Sequence, residues 1–230
     1  MVMNWEVFYH ELWAGFRLTS TVLCLYFACL FWNKRRKIDF KDARMVLLGQ
    51  GLFVFCFGLT RTLFAISDYF TTESGFENLV LNPDPFLYSL FWKLAAFIGI
   101  LGIVFLLVVI ESYLVKTRYI FTLIATVGMI IALSAPDLNF SRWVTYITLP
   151  IAMIGAIFIY FYLLFKGSGV VRRRAGISIV GLILLGGGTL LGTTAGVGTL
   201  VALFGSFPNF ISVLILTAGL AIYTYINVKE

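Results

Sequence analysis

Charge is what this chain has least of. Of its 230 residues, 12% are Asp, Glu, Lys or Arg, against about 25% in a soluble globular domain. A water-facing globule cannot cover itself with so few charged groups. A soluble fold is therefore excluded, and the lipid bilayer is the solvent that tolerates the remainder. Histidine is nearly absent as well, with His10 the single copy. That removes the histidine–carboxylate clusters, Ser–His pairs and metal sets that intramembrane chemistry draws on. No catalytic residue, metal or cofactor is expected, the chain reads as a non-enzyme, and His10 reads as an interfacial polar residue. The cysteines are few: Cys24, Cys29 and Cys56. All fall in apolar stretches without metal-ligand spacing, and they read as small core residues. A basic lead before the first apolar stretch is missing too. The chain opens Met1-Val2-Met3-Asn4-Trp5-Glu6, so neither a cleaved signal peptide nor a lipidation signal is expected.

What is there is apolar. Hydrophobic residues make up 60% of the chain, and the mean hydropathy is +0.97. A membrane-spanning helix needs about 20 such residues. The apolar windows predict spans over Trp13–Trp32, Met45–Ile66, Leu87–Glu111, Tyr119–Ala135, Trp143–Phe165, Gly176–Phe204 and Phe207–Asn227, with ends uncertain by about 2–4 residues. The fold class that follows is an all-α integral membrane protein, a seven-transmembrane-helix bundle. It forms a single transmembrane domain over residues 1–230 and leaves no room for a soluble one. The last two spans are separated only by Gly205-Ser206, with Pro208 at the expected helix start, where proline is tolerated.

The basic residues are distributed unevenly. Connections after the first, third and fifth spans, with the C-terminal tail, hold Lys34, Arg35, Arg36, Lys37, Lys41, Arg44, Lys116, Arg118, Lys166, Arg172, Arg173, Arg174 and Lys229. The opposite side holds Arg142 alone, with Glu6, Glu11, Asp68, Glu73, Glu77, Asp84 and Asp137. By the positive-inside rule the basic set is cytoplasmic, which puts the N-terminus outside and the C-terminus inside. The expected location is the cell membrane, as a multi-pass protein. The net charge of +6 is thus topology and not a nucleic-acid footprint. The clusters Lys34–Lys37 and Arg172–Arg174 are placed to meet anionic lipid headgroups or a cytoplasmic partner.

Topology leaves three cations unexplained. Arg17, Arg61 and Lys93 lie inside the first three spans, each on the order of 10 Å below the outer surface at 1.5 Å per residue. Helical spacing puts Arg17 with Ser20, Thr21, Cys24 and Ala28, and Arg61 with Gly58, Val54 and Gln50. Lys93 and Glu111 share one stripe. Lipid would not solvate these faces, so they are expected to turn inward. They predict an outward-facing cationic pocket between the first three spans, lined by Arg17, Arg61, Lys93 and Gln50, with Glu11, Asp68 and Asp84 near its rim. Glu111 is expected to pair with a basic residue such as Arg44, Lys116 or Arg174.

The sixth span is rich in glycine. Gly188, Gly192 and Gly196 form two overlapping G-x-x-x-G units, which flatten one helix face for close packing in the bundle or in a homo-oligomer. Unwinding there, with carbonyls offered to an ion or solute, is the alternative. The outer connection Ser67–Phe86 carries Asn82-Pro83-Asp84-Pro85, which reads as an ordered cap with a turn.

The layout is similar to that of rhodopsin-like and sensory seven-helix proteins. The resemblance is one of topology. A retinal protein implies a lysine in mid-span in the last helix, where this chain has only Lys229 beyond the end. Glu111-Ser112-Tyr113 resembles the D/E-R-Y triplet of G-protein-coupled receptors but lacks the arginine. The functional expectation is a receptor-like or sensory module that binds a small anionic or lipidic ligand through Arg17, Arg61 and Lys93. The alternatives are a transporter or channel using the sixth span, and a non-catalytic subunit of a membrane complex. The expected partners are membrane lipids, a cytoplasmic or membrane protein, or a second copy of the chain.

Overall fold

The computed structural model describes residues 5–71, 83–115, 117–191 and 207–229, with helical backbone alone at 5–14, 190 and 207–210. Among the described residues there are seven helices and no strand: α1 (Trp5–Arg36), α2 (Lys41–Asp68), α3 (Pro85–Tyr113), α4 (Ile120–Ser134), α5 (Leu138–Lys166), α6 (Gly169–Leu191) and α7 (Phe207–Lys229). An apolar chain in a bilayer must satisfy its backbone polar groups internally, and a helix does this within one segment. The stretches Gly15–Arg36, Lys41–Asp68, Pro85–Tyr113, Leu138–Lys166 and Ile211–Lys229 are long and apolar enough to cross a membrane. Their apolar side chains are widely exposed, Leu18, Val22, Trp143 and Phe158 each above 60%, as a lipid-facing surface requires. The findings support a multi-pass membrane helical bundle.

Helix ends depart from the expected spans where capping chemistry reaches past the apolar run. Asp84 caps α3, its carboxylate accepting from the N–H groups of Phe86 at 2.9 Å and Leu87 at 3.1 Å, and Pro85 occupies the first helical position, where no N–H is missed. The Asp137 carboxylate accepts from the Phe140 N–H at 3.2 Å, so α5 starts at Leu138, ahead of Trp143. α6 starts at Gly169, whose φ of +53° suits a residue without Cβ. The run Arg172–Arg174 is therefore helical and not part of a connection. α4 has 15 residues, roughly 22 Å of helix, short of a hydrocarbon core of about 30 Å. The sixth span's continuation to Phe204, its Gly192 and Gly196, and the turn at Gly205-Ser206 lie outside the described residues.

The chain divides into two compact units, one of residues 1–23 and 157–230, the other of residues 24–156. In the second unit α2 packs along α3. A Cβ on Gly49 would stand 2.5 Å from Val109 Cγ2, one on Gly102 2.8 Å from Cys56 Cβ, and one on Gly99 3.3 Å from the Thr60 side chain. These three contacts fix an antiparallel register. Ile100, Leu106, Leu107 and Ile110 of α3 are fully buried and form the core. α4 and α5 close over one another, where Gly128 faces the Thr148 side chain and Gly155 faces the Phe121 ring. The Ser141 hydroxyl donates to the Ala132 carbonyl at 2.7 Å.

In the first unit α6 packs along α7. Gly181 meets the backbone of Tyr223, Gly188 that of Leu216 and Ser212, and Gly219 that of Leu185 and Gly181. Leu182, Leu185, Leu216, Leu220 and Tyr223 form the core of this pair. Polar contacts in this unit include the hydroxyls of Tyr160 of α5 and Tyr223 of α7 at 3.3 Å, and the Asn227 side-chain amide donating to Ser178 Oγ at 3.1 Å.

Candidate functional site

The site begins with the Asp84 cap, which sets the start of α3. Tyr88 and Trp92 then fall one turn apart on one face, with Lys93 beside them. Trp92 is buried. Its ring meets Phe64 of α2 edge-on at 5.8 Å and Tyr146 of α5 edge-on at 6.5 Å. Over this aromatic wall lies Arg142 of α5, its guanidinium carbon 5.5 Å from the centre of the Tyr88 ring and 5.8 Å from that of Trp92. Arg142 also donates to the Tyr88 hydroxyl. A guanidinium over electron-rich ring faces contributes about 0.5–1 kcal/mol, more where water is excluded.

Lys93 is half-buried, and its ammonium donates to the Ala135 carbonyl at 2.7 Å. Ala135 is the C-cap of α4, where free carbonyls and the negative end of the helix dipole favour a cation. At the opposite end of α3, Glu111 is 2% exposed. Its carboxylate accepts from the Phe121 N–H at 3.1 Å and the Thr122 hydroxyl at 2.9 Å. Those two residues form the first turn of α4, the positive end of the dipole. One helix thus supplies a cation to the C-terminus of α4 and an anion to its N-terminus, each with the favourable sign. α4 needs both, because Tyr119 at its N-cap makes no side-chain cap bond. Arg118 and Tyr119 enter α4 at φ values of 57° and 60°, a left-handed pair that non-glycine residues rarely adopt. The Tyr119 hydroxyl is 3.0 Å from Ser112 Oγ.

The structure places the sequence-derived site residues one by one. Lys93 and Arg61 lie toward the same end of the α2–α3 pair. The half-buried Arg61 is one turn from Phe64 on α2. Gln50 is buried on the same stripe of α2, but about 17 Å from Arg61 along the axis, near the level of Val109. Arg17 belongs to the other unit, half-buried in α1, with the Ser20 hydroxyl donating to its carbonyl at 2.7 Å. Glu111 finds its partners on α4, while Arg44 is exposed at the start of α2 and Lys116 lies outside the described residues. Asp84, expected at the rim of a pocket, is engaged as a helix cap. The side chains of Glu11 and His10 lie outside the described residues.

Arg142 is the residue that sequence reasoning misses, because the apolar window places it in a connection, whereas it lies within α5. Two signals point to it: Asp137 as a cap pulls Arg142 into α5, and Tyr88 and Trp92, four apart on α3, form a surface for a cation. Among the described residues, no cluster of metal-ligating side chains occurs. No protein-family model, no curated protein and no solved structure matches this chain.

Proposed function

We propose that this chain is a seven-span, non-enzymatic sensory or receptor-like membrane protein, its N-terminus outside and its basic connections cytoplasmic, which binds a small anionic or lipidic ligand at the end of α2 and α3 that carries Arg61 and Lys93. The supporting observation is the Lys93 ammonium, half-buried in an apolar helix and held by a neutral carbonyl. A cation taken from water gains most from an anionic acceptor. Arg61 and Arg142 lie toward the same end, and the Asp84 and Asp137 carboxylates serve as helix caps of α3 and α5. A carboxylate or phosphate arriving there competes with Ala135 for Lys93. Its binding would loosen the C-terminal cap of α4 and pass a signal along that short helix. The reading retains Arg61 and Lys93 and adds Arg142.

The test is thermal unfolding of the purified protein with a panel of anionic lipids and small carboxylates, comparing the wild type with Arg61→Gln/Lys93→Gln. A ligand at 100 times its Kd raises wild-type stability by about 2.7 kcal/mol, and the double variant is expected to lose that gain. If no compound in the panel stabilises the wild type more than the variant, the ligand site is lost. For transport through the sixth span, only the start of the glycine-rich stretch lies among the described residues. α6 stays helical to Leu191, and Gly188 is occupied by packing against α7.

A further inference from the structure

The connection between α1 and α2 carries a second charged surface, at the opposite end of α2 from Arg61. α1 ends in Lys34, Arg35 and Arg36, where cations complement the C-terminal dipole and need no other explanation. Lys41 and Arg44 have no such excuse, because they sit in the first turn of α2, where the helix dipole disfavours positive charge. Asp42 is the one acid in that turn. Phe40 occupies the N-cap without a side-chain cap bond and is 80% exposed, among the most exposed large apolar side chains of the described residues. Arg36, Lys37, Lys41 and Arg44 are all exposed around it. In water an exposed aromatic ring is costly, and so is the excess of these four cations over the two adjacent acids, Asp39 and Asp42. Both costs vanish at a membrane surface, where the ring enters the acyl boundary and the cations meet phosphate.

We infer that the α1–α2 connection is a docking site for an anionic phospholipid, with Phe40 inserted at the headgroup–acyl boundary and Lys37, Lys41 and Arg44 around the phosphate. Charge complementarity selects the occupant: each basic residue near a surface contributes roughly fivefold to attraction for an anionic leaflet. The choice of an intact lipid over free phosphate rests on Phe40, which a soluble anion would leave in water. This inference does not depend on the proposed ligand site at the far end of α2.

The experiment uses the full chain in vesicles of phosphatidylcholine mixed with phosphatidylglycerol, with retained lipids counted by native mass spectrometry. The wild type is expected to retain phosphatidylglycerol preferentially. Lys41→Gln/Arg44→Gln should reduce that preference about tenfold or more, while Arg172→Gln/Arg173→Gln, removing the same charge from α6, changes it far less. Phe40→Ser should weaken retention of the intact lipid, and inorganic phosphate should not displace it. The charge-conserving pair Lys41→Arg/Arg44→Lys guards against misfolding and should keep the preference. Equal losses from the two glutamine pairs, or displacement by inorganic phosphate, overturns the inference.

Discussion

Two glycine-lined helix pairs, α2–α3 and α6–α7, solve close packing differently. In α2–α3 the nearest atoms belong to side chains, Val109 opposite Gly49, Cys56 opposite Gly102 and Thr60 opposite Gly99, although the Phe105 carbonyl also stands 2.9 Å from a Cβ on Gly49. In α6–α7 the glycines meet backbone. A Cβ on Gly188 would stand 2.7 Å from Leu216 N and 2.8 Å from the Ser212 carbonyl, and one on Gly219 would stand 2.7 Å from Leu185 N. The Thr60 side chain can rotate away from an intruding methyl, whereas a helix backbone, or a Cβ fixed to it, cannot. The pairs differ in polarity too. α3 places Lys93 and Glu111 on a third helix, while the bond from Asn227 of α7 to Ser178 of α6 joins neutral groups. One pair is built to stay fixed. The other is built to hold a short helix by its charged ends.

The sharpest way to break this comparison is to put a side chain into α6–α7. Gly188→Val should lower stability by about 3 kcal/mol or abolish folding, at the upper end of overpacking costs. Gly187→Val, next door with nothing within 4 Å of its Cβ position, should be close to neutral. Gly99→Ala in α2–α3, 3.3 Å from the movable Thr60 side chain, should fall between them at about 1 kcal/mol. Thermal unfolding in detergent reads all three, and equal midpoints for the two valine variants would remove the distinction.

A smaller effect tests the charged clamp. Glu111→Ala strips the acceptor from the Phe121 N–H and the Thr122 hydroxyl, and should cost about 1–3 kcal/mol. Glu111→Gln keeps one oxygen and should cost less. The readout that separates a cap from general packing is amide exchange. Faster exchange should be confined to the first turn of α4 in Glu111→Ala. Uniform loss of protection across α2 and α3 instead would mean that Glu111 supports the pair and not α4.

The helical membrane architecture was legible in composition, because apolar runs with so little charge have no other stable solvent. The inward turn of the Gln50, Val54 and Gly58 face was legible in its spacing, and all three residues are buried. The partners of the buried charges were not. Sequence places Lys93 and Glu111 on one stripe, but their acceptor and donors sit on a helix whose own ends carry no local cap. That need shows only once α4 is known to start after Tyr119, a residue unable to cap. Arg142 was hidden for a related reason: a connection and a first helical turn look alike until Asp137 is seen to cap. Gly188 could be read as a packing residue from its G-x-x-x-G spacing. Whether its neighbour is a side chain or a backbone is set by the axial register of α6 against α7, which no local pattern encodes.

The smallest expected effect concerns the polar contacts of α6–α7. Asn227 donates to Ser178 at 3.1 Å and to the Tyr223 carbonyl at 2.7 Å, all within the buried interface. Such a bond invites the view that it holds the helices together in lipid. Measured couplings between membrane helices average only about 0.6 kcal/mol, because the separated helices find other partners for their polar groups. A double-mutant cycle of Asn227→Ala and Ser178→Ala should therefore return about 0.6 kcal/mol. That is a small fraction of the Gly188→Val effect, since the α6–α7 pair owes its fixity to backbone contact. A coupling above about 2 kcal/mol would reverse the order. The amide would then hold the pair, the glycines would merely permit the approach, and α6–α7 would depend on polar contacts as α3 and α4 do.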